Sequence, residues 1–106
     1  MQNIPTPTTS THARPSGETV TFTEWTIGAY TLRKSESPDY TGWTVTTSDR
    51  DLPYVGYKDG DPHRPIFGVS VPSSGDLFVT DALTLARQIT EAANVAATFG
   101  MITEAN

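Results

Sequence analysis

Apolar and polar residues alternate along most of the chain, which is the pattern of β-strands that bury one face. Strand-like segments cover residues 18–33, 42–48, 54–57 and 65–71. Turn-forming residues separate them, most clearly in the run Asp59-Gly60-Asp61-Pro62. Because short connections join antiparallel neighbours, we predict an antiparallel sheet of four to five strands.

The alternation changes phase inside the first of these segments. Val20 and Phe22 are even-numbered, whereas Trp25 and Ile27 are odd-numbered, so a regular strand would place the two pairs on opposite faces. We predict a bulge near Glu24 that returns them to one face and turns the Glu24 carboxylate outwards rather than inwards. A kink at the glycine after Ile27 leaves open whether the segment is one bent strand or two.

One amphipathic helix is predicted after the strands, over Thr80–Phe99, with Thr80 as its N-cap and Gly100 just beyond its end. Small side chains allow a helix to approach a sheet closely, so we expect the alanine-rich face to pack on the sheet. On that packing, Ala93→Leu would overfill the contact at a cost of roughly 1–3 kcal/mol. The predicted face comprises Ala82, Leu85, Ala86, Ile89, Ala92, Ala93, Ala96 and Ala97.

The length of 106 residues suits one domain, and the order of elements predicts an α+β fold with a single C-terminal helix. Residues 1–17 are rich in proline, threonine and serine, so we predict a disordered tail there, with a docking peptide as the alternative reading. Residues 18–102 form the predicted domain, and residues 103–106 a frayed C-terminus.

Composition narrows the classes of function. The net charge of −5 argues against binding to nucleic acid or to anionic membranes, because phosphate recognition needs clustered Lys and Arg. The absence of cysteine excludes disulfides, thiolate metal sites and cysteine nucleophiles. Neither a signal-peptide pattern nor an apolar run of about 20 residues is present, so we expect a cytoplasmic protein.

The strongest candidate for chemistry is the loop that holds Asp59, Asp61 and His63. Two carboxylates and an imidazole at this spacing suit a divalent metal or a carboxylate-oriented general base. The same residues are also ordinary turn formers, and Asp49-Arg50-Asp51 has the composition of a solvated loop. We therefore expect no catalytic residue, no metal site and no cofactor.

Aromatic residues in the strands indicate a binding surface instead. One helix covers one face of a sheet, so aromatic side chains on the other face would form a patch that needs a partner. We expect the functional surface on that uncovered face and the adjoining hairpin, and not on the helix. The predicted interaction surface comprises Tyr40, Tyr54, Tyr57, Asp59, Asp61 and His63.

The segment DALTLARQITEAANVAA, with the spacing A-x-x-L-A-x-x-I-x-x-A-A, resembles the terminal helix of small uncharacterised proteins from actinobacteria and their bacteriophages. The resemblance covers residues 25–97. It implies a small accessory protein of the kind that phages encode, located in the host cytoplasm or in the virion.

The leading hypothesis is a non-enzymatic accessory protein that binds a protein partner or a second copy of itself, with no nucleic acid or membrane partner. One alternative is a metal-dependent hydrolase that uses the Asp59–His63 loop. The other is an acidic inhibitor that mimics nucleic acid through the carboxylates of Glu36, Asp39, Asp49, Asp51, Asp59 and Asp61.

Overall fold

The computed structural model describes residues 4–61, 64–71 and 75–106. For residues 57–61 and 64 it describes the backbone alone. Strands β1 to β4 form one antiparallel sheet in that order, and β5 pairs with β6 in a separate antiparallel hairpin. The predicted α+β fold with one C-terminal helix is confirmed. The elements are β1 (Thr8–Ala13), β2 (Thr19–Ile27), β3 (Tyr30–Ser37), β4 (Tyr40–Thr47), β5 (Tyr54–Asp61), β6 (Arg64–Ser70) and α1 (Val79–Ala105).

Strand β2 is regular, so the predicted bulge near Glu24 is wrong. Its register with β3 runs without a shift from Thr21 to Ile27, and Trp25 stands opposite Leu32. Both faces of β2 carry apolar side chains. The change of phase in the apolar–polar alternation therefore needs no bulge in the strand. Glu24 is partly exposed and lies 3.4 Å from Arg33 across the strand pair, as the outward orientation predicted.

Two short turns join the next strands. Gly28 has a φ of +58°, a conformation that favours glycine, and it turns β2 into β3. The 18–33 segment is therefore two strands. The gap between the first two predicted strands, residues 34–41, is much shorter in the structure, because β3 continues to Ser37 and β4 begins at Tyr40.

Strand β1 lies in the predicted tail, so the expectation of disorder is wrong for Thr8–Ala13. The whole strand is exposed and pairs in register with β2, from Thr8 opposite Glu24 to Ala13 opposite Thr19. Gly17, at φ +90°, closes the turn, and its N–H donates to the Arg14 carbonyl at 2.9 Å. The strand buries little apolar surface. It is stabilised instead by backbone hydrogen bonds to the edge of β2 and by the β-propensity of its threonines.

The core lies between one end of the four-stranded sheet, the hairpin and the second half of α1. Phe99 is fully buried and meets Phe67 of β6 edge to face, with 6.2 Å between the ring centres. The Tyr30 hydroxyl donates to the Pro53 carbonyl at 2.5 Å, which ties β3 to the start of the hairpin. The buried cluster comprises Trp25, Tyr30, Leu32, Val55, Ala92, Val95, Phe99 and Ile102.

Helix α1 is longer at both ends than predicted. It begins at Val79 after Phe78, whose side chain makes no capping hydrogen bond, so Thr80 is not the N-cap. Gly100 lies inside the helix, because the buried Ile102 and Thr103 continue the packing beyond it. The predicted fraying of residues 103–106 is wrong for the helical part, which runs to Ala105.

The buried face of α1 differs from the predicted alanine face. Of the predicted residues only Ala92 is fully buried, whereas Ala82, Ala86, Ala93 and Ala97 are exposed. Burying a larger apolar side chain stabilises the fold more than burying an alanine does. The helix therefore packs its larger side chains, and not its alanines, against the hairpin. Ala93→Leu would therefore not overfill the core. The buried residues are Ala92, Val95, Thr98, Phe99, Ile102 and Thr103.

Candidate functional site

The first half of α1 carries a large exposed apolar surface. No residue of the helix before Ala92 is buried. Phe78 is 82% exposed, Val79 75% and Leu83 67%, and Leu77 just before them is also exposed. Large apolar side chains this close together mark an interaction site when they lie on a protein surface. The predicted surface excluded the helix, so this exposed half of α1 is a further candidate surface.

A groove of about 930 Å³ runs beside the second half of the same helix. One wall is β6 from Pro65 to Val69, where Ile66 is 57% exposed. The other wall is α1, whose lining side chains are small, so the groove is open along the helix. Glu104, at one end, is its sole charged lining residue among the described part of the chain. The helix wall comprises Ala93, Ala96, Ala97, Gly100, Thr103 and Glu104.

One line of helix positions connects the exposed half to the groove. Along this line the spacing alternates between three and four residues, which is the spacing of a coiled-coil contact. We call it the α1 seam; it comprises Val79, Ala82, Ala86, Ile89, Ala93, Ala96, Gly100 and Thr103.

The α1 seam shares only Thr103 with the buried face and carries no charge. Its centre lies roughly a third of the way round the helix from the centre of the buried face. The charged residues Asp81, Arg87 and Glu91 fall off the seam. Only Thr103, at its end, is buried, and the positions from Val79 to Ala86 are exposed. The seam is therefore an apolar stripe that the described part of the chain leaves open at its first half.

The structure places two of the predicted surface tyrosines far apart. Tyr40 is 58% exposed, at the turn between β3 and β4, and its ring lies over Gly42. Tyr54 is 47% exposed and follows Pro53, beside Tyr30 at the other end of β3. The length of β3 separates the two tyrosines by roughly 20 Å. They do not share a surface.

The remaining predicted site residues lie outside the described side chains. Tyr57, Asp59 and Asp61 belong to β5 by their backbone, and His63 lies outside the described residues altogether. Within the described residues, no group of three or more His, Asp or Glu is placed to hold a metal ion.

Of the acidic residues proposed as a nucleic-acid mimic, the four with described side chains divide between the two ends of β4. Glu36 and Asp39 lie near its start, where Glu36 is 3.3 Å from Lys34. Asp49 and Asp51 follow its end, where the Asp49 carboxylate accepts the Asp51 N–H at 3.0 Å. The Glu36 and Asp49 carboxylates make local contacts, and the four residues lie at opposite ends of β4 and not in one row.

The open face of the four-stranded sheet is mostly polar, because most of the aromatic side chains of its strands lie in or against the core. Trp25 and Tyr30 are buried, and Trp43 packs against the core. Phe22 remains on the open face, with the Arg33 guanidinium 4.5 Å from its ring centre and the His12 ring at 5.3 Å. Its ring is therefore covered on the sheet and does not form a patch.

Burial also shifts the pKa of one described residue of the core. It raises the pKa of the Tyr30 hydroxyl above its ordinary value of 10.0, and the nearby carboxylates of Glu91 and Asp49 add to the effect. Tyr30 is thus held neutral as the donor to Pro53. Its role is structural, and it lies away from the groove.

Comparison of the chain with family models, with curated proteins and with solved structures gave no match. Across the described residues, no helix combines the length and the apolar character needed to cross a bilayer.

Proposed function

We propose that this protein is a non-enzymatic binding module that recognises a protein through the first half of α1 and the adjacent groove. The observation that carries the proposal is the exposure of Phe78, Val79 and Leu83 on a stretch of helix with no buried residue. These side chains continue, along the α1 seam, into a groove with almost no charge.

Energetics support a bound partner. An isolated helix shorter than about 12–15 residues is marginally stable in water, so the half of α1 before Ala92 gains little from its own hydrogen bonds. Burying a large apolar side chain contributes roughly 1.5–3 kcal/mol, so covering three of them would contribute on the order of 5 kcal/mol. A partner on this face would stabilise the helix and form the complex in one step.

A pair of matched variants tests the proposal. Leu83→Glu places a charge on the apolar face, whereas Thr84→Glu places the same charge on the exposed opposite face. Tagged full-length chain is recovered from the cells that produce it, and the co-purified proteins, including untagged copies of the chain itself, are quantified. We expect wild type and Thr84→Glu to recover the same protein and Leu83→Glu to lose it. Equal recovery by wild type and both variants, or none by wild type, would contradict the proposal.

The resemblance of the α1 segment to helices of phage-encoded proteins adds a biological setting to this proposal. In that setting the module acts in the host cytoplasm as a modulator of a host protein, or it is a component of the virion. Co-sedimentation with purified particles distinguishes the two, because a virion component remains with the particles after washing.

A further inference from the structure

We infer that the partner on this face is a second copy of the chain, bound through an antiparallel pair of α1 helices related by a two-fold axis. The inference rests on the proposed function and adds the identity of the partner and the register of the contact. It follows from the way the two halves of α1 complement each other.

The two halves of the helix differ in shape. The first half presents Phe78, Val79 and Leu83 outwards and none of its residues is buried, whereas the second half lies beside an open groove. When two such helices run antiparallel, the projecting half of each lies along the groove of the other. Both projecting surfaces are then covered by a single isologous contact.

The α1 seam gives this contact its register. Because its spacing alternates between three and four, the seam maps onto itself when the helix is reversed about a point near Glu91. Most of the paired residues are small, which allows the helix axes to approach to about 8 Å. The pairs are Val79 with Thr103 of the partner subunit, Ala82 with Gly100 of the partner subunit, Ala86 with Ala96 of the partner subunit, and Ile89 with Ala93 of the partner subunit.

The large exposed side chains also lie beside the partner's groove in this register. Leu83 comes level with Phe99 of the partner subunit, and Ala97 of the partner subunit, about 3 Å away along the helix axis, is the groove residue next to it. Phe78 comes level with Glu104 of the partner subunit. The facing wall of the groove is β6, whose Ile66 is 57% exposed. Each copy therefore supplies both the side chains that need covering and the apolar wall that covers them.

The surface area that this helix contact would bury is large enough for a stable dimer. A helix of 27 residues is about 40 Å long. A second helix that also touches the hairpin would cover a strip about 15–20 Å wide, or on the order of 600–800 Å² per subunit, close to the roughly 800 Å² of a standard interface. The absence of charge along the seam fits the same occupant, because two copies of an acidic chain meet best where neither carries a charge.

The oligomeric state of the full-length chain provides the first test. Sedimentation equilibrium at micromolar concentration should show a dimer for wild type and for Thr84→Glu. Ala86→Glu and Leu83→Glu should each raise the dimer Kd by at least about tenfold, since each buries a charge in the contact. Both positions are exposed in the single chain, so thermal melting should show that the variants fold.

Disulfide trapping tests the direction of the helices, and the chain has no cysteine of its own to interfere. Chains carrying Ala86→Cys and Ala96→Cys should cross-link when mixed under oxidation, and each should stay uncross-linked alone. Cross-linking of Ala86→Cys with itself would indicate parallel helices and overturn the inference.

A monomeric wild type would also overturn the inference. If that monomer still captured another protein through Leu83, the proposed function would stand without the dimer. If it captured nothing, both would fall.

Discussion

The Nζ atom of Lys34 donates a hydrogen bond of 2.7 Å to the main-chain carbonyl oxygen of Asn106, joining the middle of β3 to the end of α1. The Lys34 side chain is mostly covered, and Nζ lies 5.5 Å from the ring centre of Trp43 and 3.3 Å from the Glu36 carboxylate. The Asn106 side chain caps the same helix end by donating to the Ile102 carbonyl at 3.0 Å. This contact explains why the last turn of α1 is docked on the sheet rather than frayed.

Lys34→Met should lower the free energy of unfolding by about 1 kcal/mol, because the aliphatic part is kept and the hydrogen bond to Asn106 is lost. Urea denaturation gives the change, with Arg87→Met on the exposed face of α1 as the control. Hydrogen exchange should be faster at residues 102–105 in Lys34→Met alone. Unchanged protection there would show that the contact does not hold the helix end.

Tyr30→Phe should cost roughly 1–3 kcal/mol, because it leaves the Pro53 carbonyl oxygen unsatisfied in a buried position. Thermal or urea denaturation at neutral pH measures the loss. Tyr54→Phe is the matched control, since Tyr54 is 47% exposed and should change stability little. Equal effects at the two positions would contradict a buried hydrogen bond at Tyr30.

The raised pKa of Tyr30 predicts a loss of stability in alkali. The folded chain holds this hydroxyl neutral above the pH at which the unfolded chain ionises it, so the stabilisation is complete below pH 10.0 and declines as the pH rises through the folded pKa. Urea denaturation on both sides of that pH should show a steeper decline for wild type than for Tyr30→Phe. If the stability of the two proteins declined equally with pH, the decline would come from groups other than Tyr30.

Phe99→Ala should cost about 3–5 kcal/mol, since the ring is fully buried against Phe67 and its loss leaves a cavity. Phe78→Ala removes the same ring from an 82% exposed position and should leave the stability of the monomer nearly unchanged. Denaturation at a concentration where the chain is monomeric makes the comparison. Similar losses of stability at both positions would mean that the helix face that carries Phe99 is not the buried face.

Two glycines should respond to alanine in opposite directions. Gly100 lies inside α1 with nothing within 4 Å of an added Cβ, so Gly100→Ala should raise stability by up to about 1 kcal/mol. Gly28 is equally open, but its φ is +58°, so Gly28→Ala should cost roughly 1–2 kcal/mol. Melting temperatures of the two variants, measured at a concentration where the chain is monomeric, provide the test, and a loss at Gly100 would then indicate that the helix does not continue through it.

The alternation of residues by itself determined the strands from Thr19 onwards and the α+β fold class, because period-two and period-3.6 patterns identify strands and helices locally. The presence of one helix after the strands followed in the same way. Gly100 shows the limit of local signals: its low helix propensity, about 1 kcal/mol, is outweighed by the burial of Ile102 beyond it.

Tertiary structure alone decided which faces are buried. The α1 segment has two apolar faces, one of alanines and one with Val95, Phe99 and Ile102, and periodicity cannot choose between them. The choice depends on the bulk that the hairpin and the sheet bring to the helix, which is a property of packing between distant residues. Packing between distant residues also decided the regular course of β2, the pairing of β1 with the sheet edge, and the exposure of Leu83. The candidate surface therefore lies on the helix face that the core left unused.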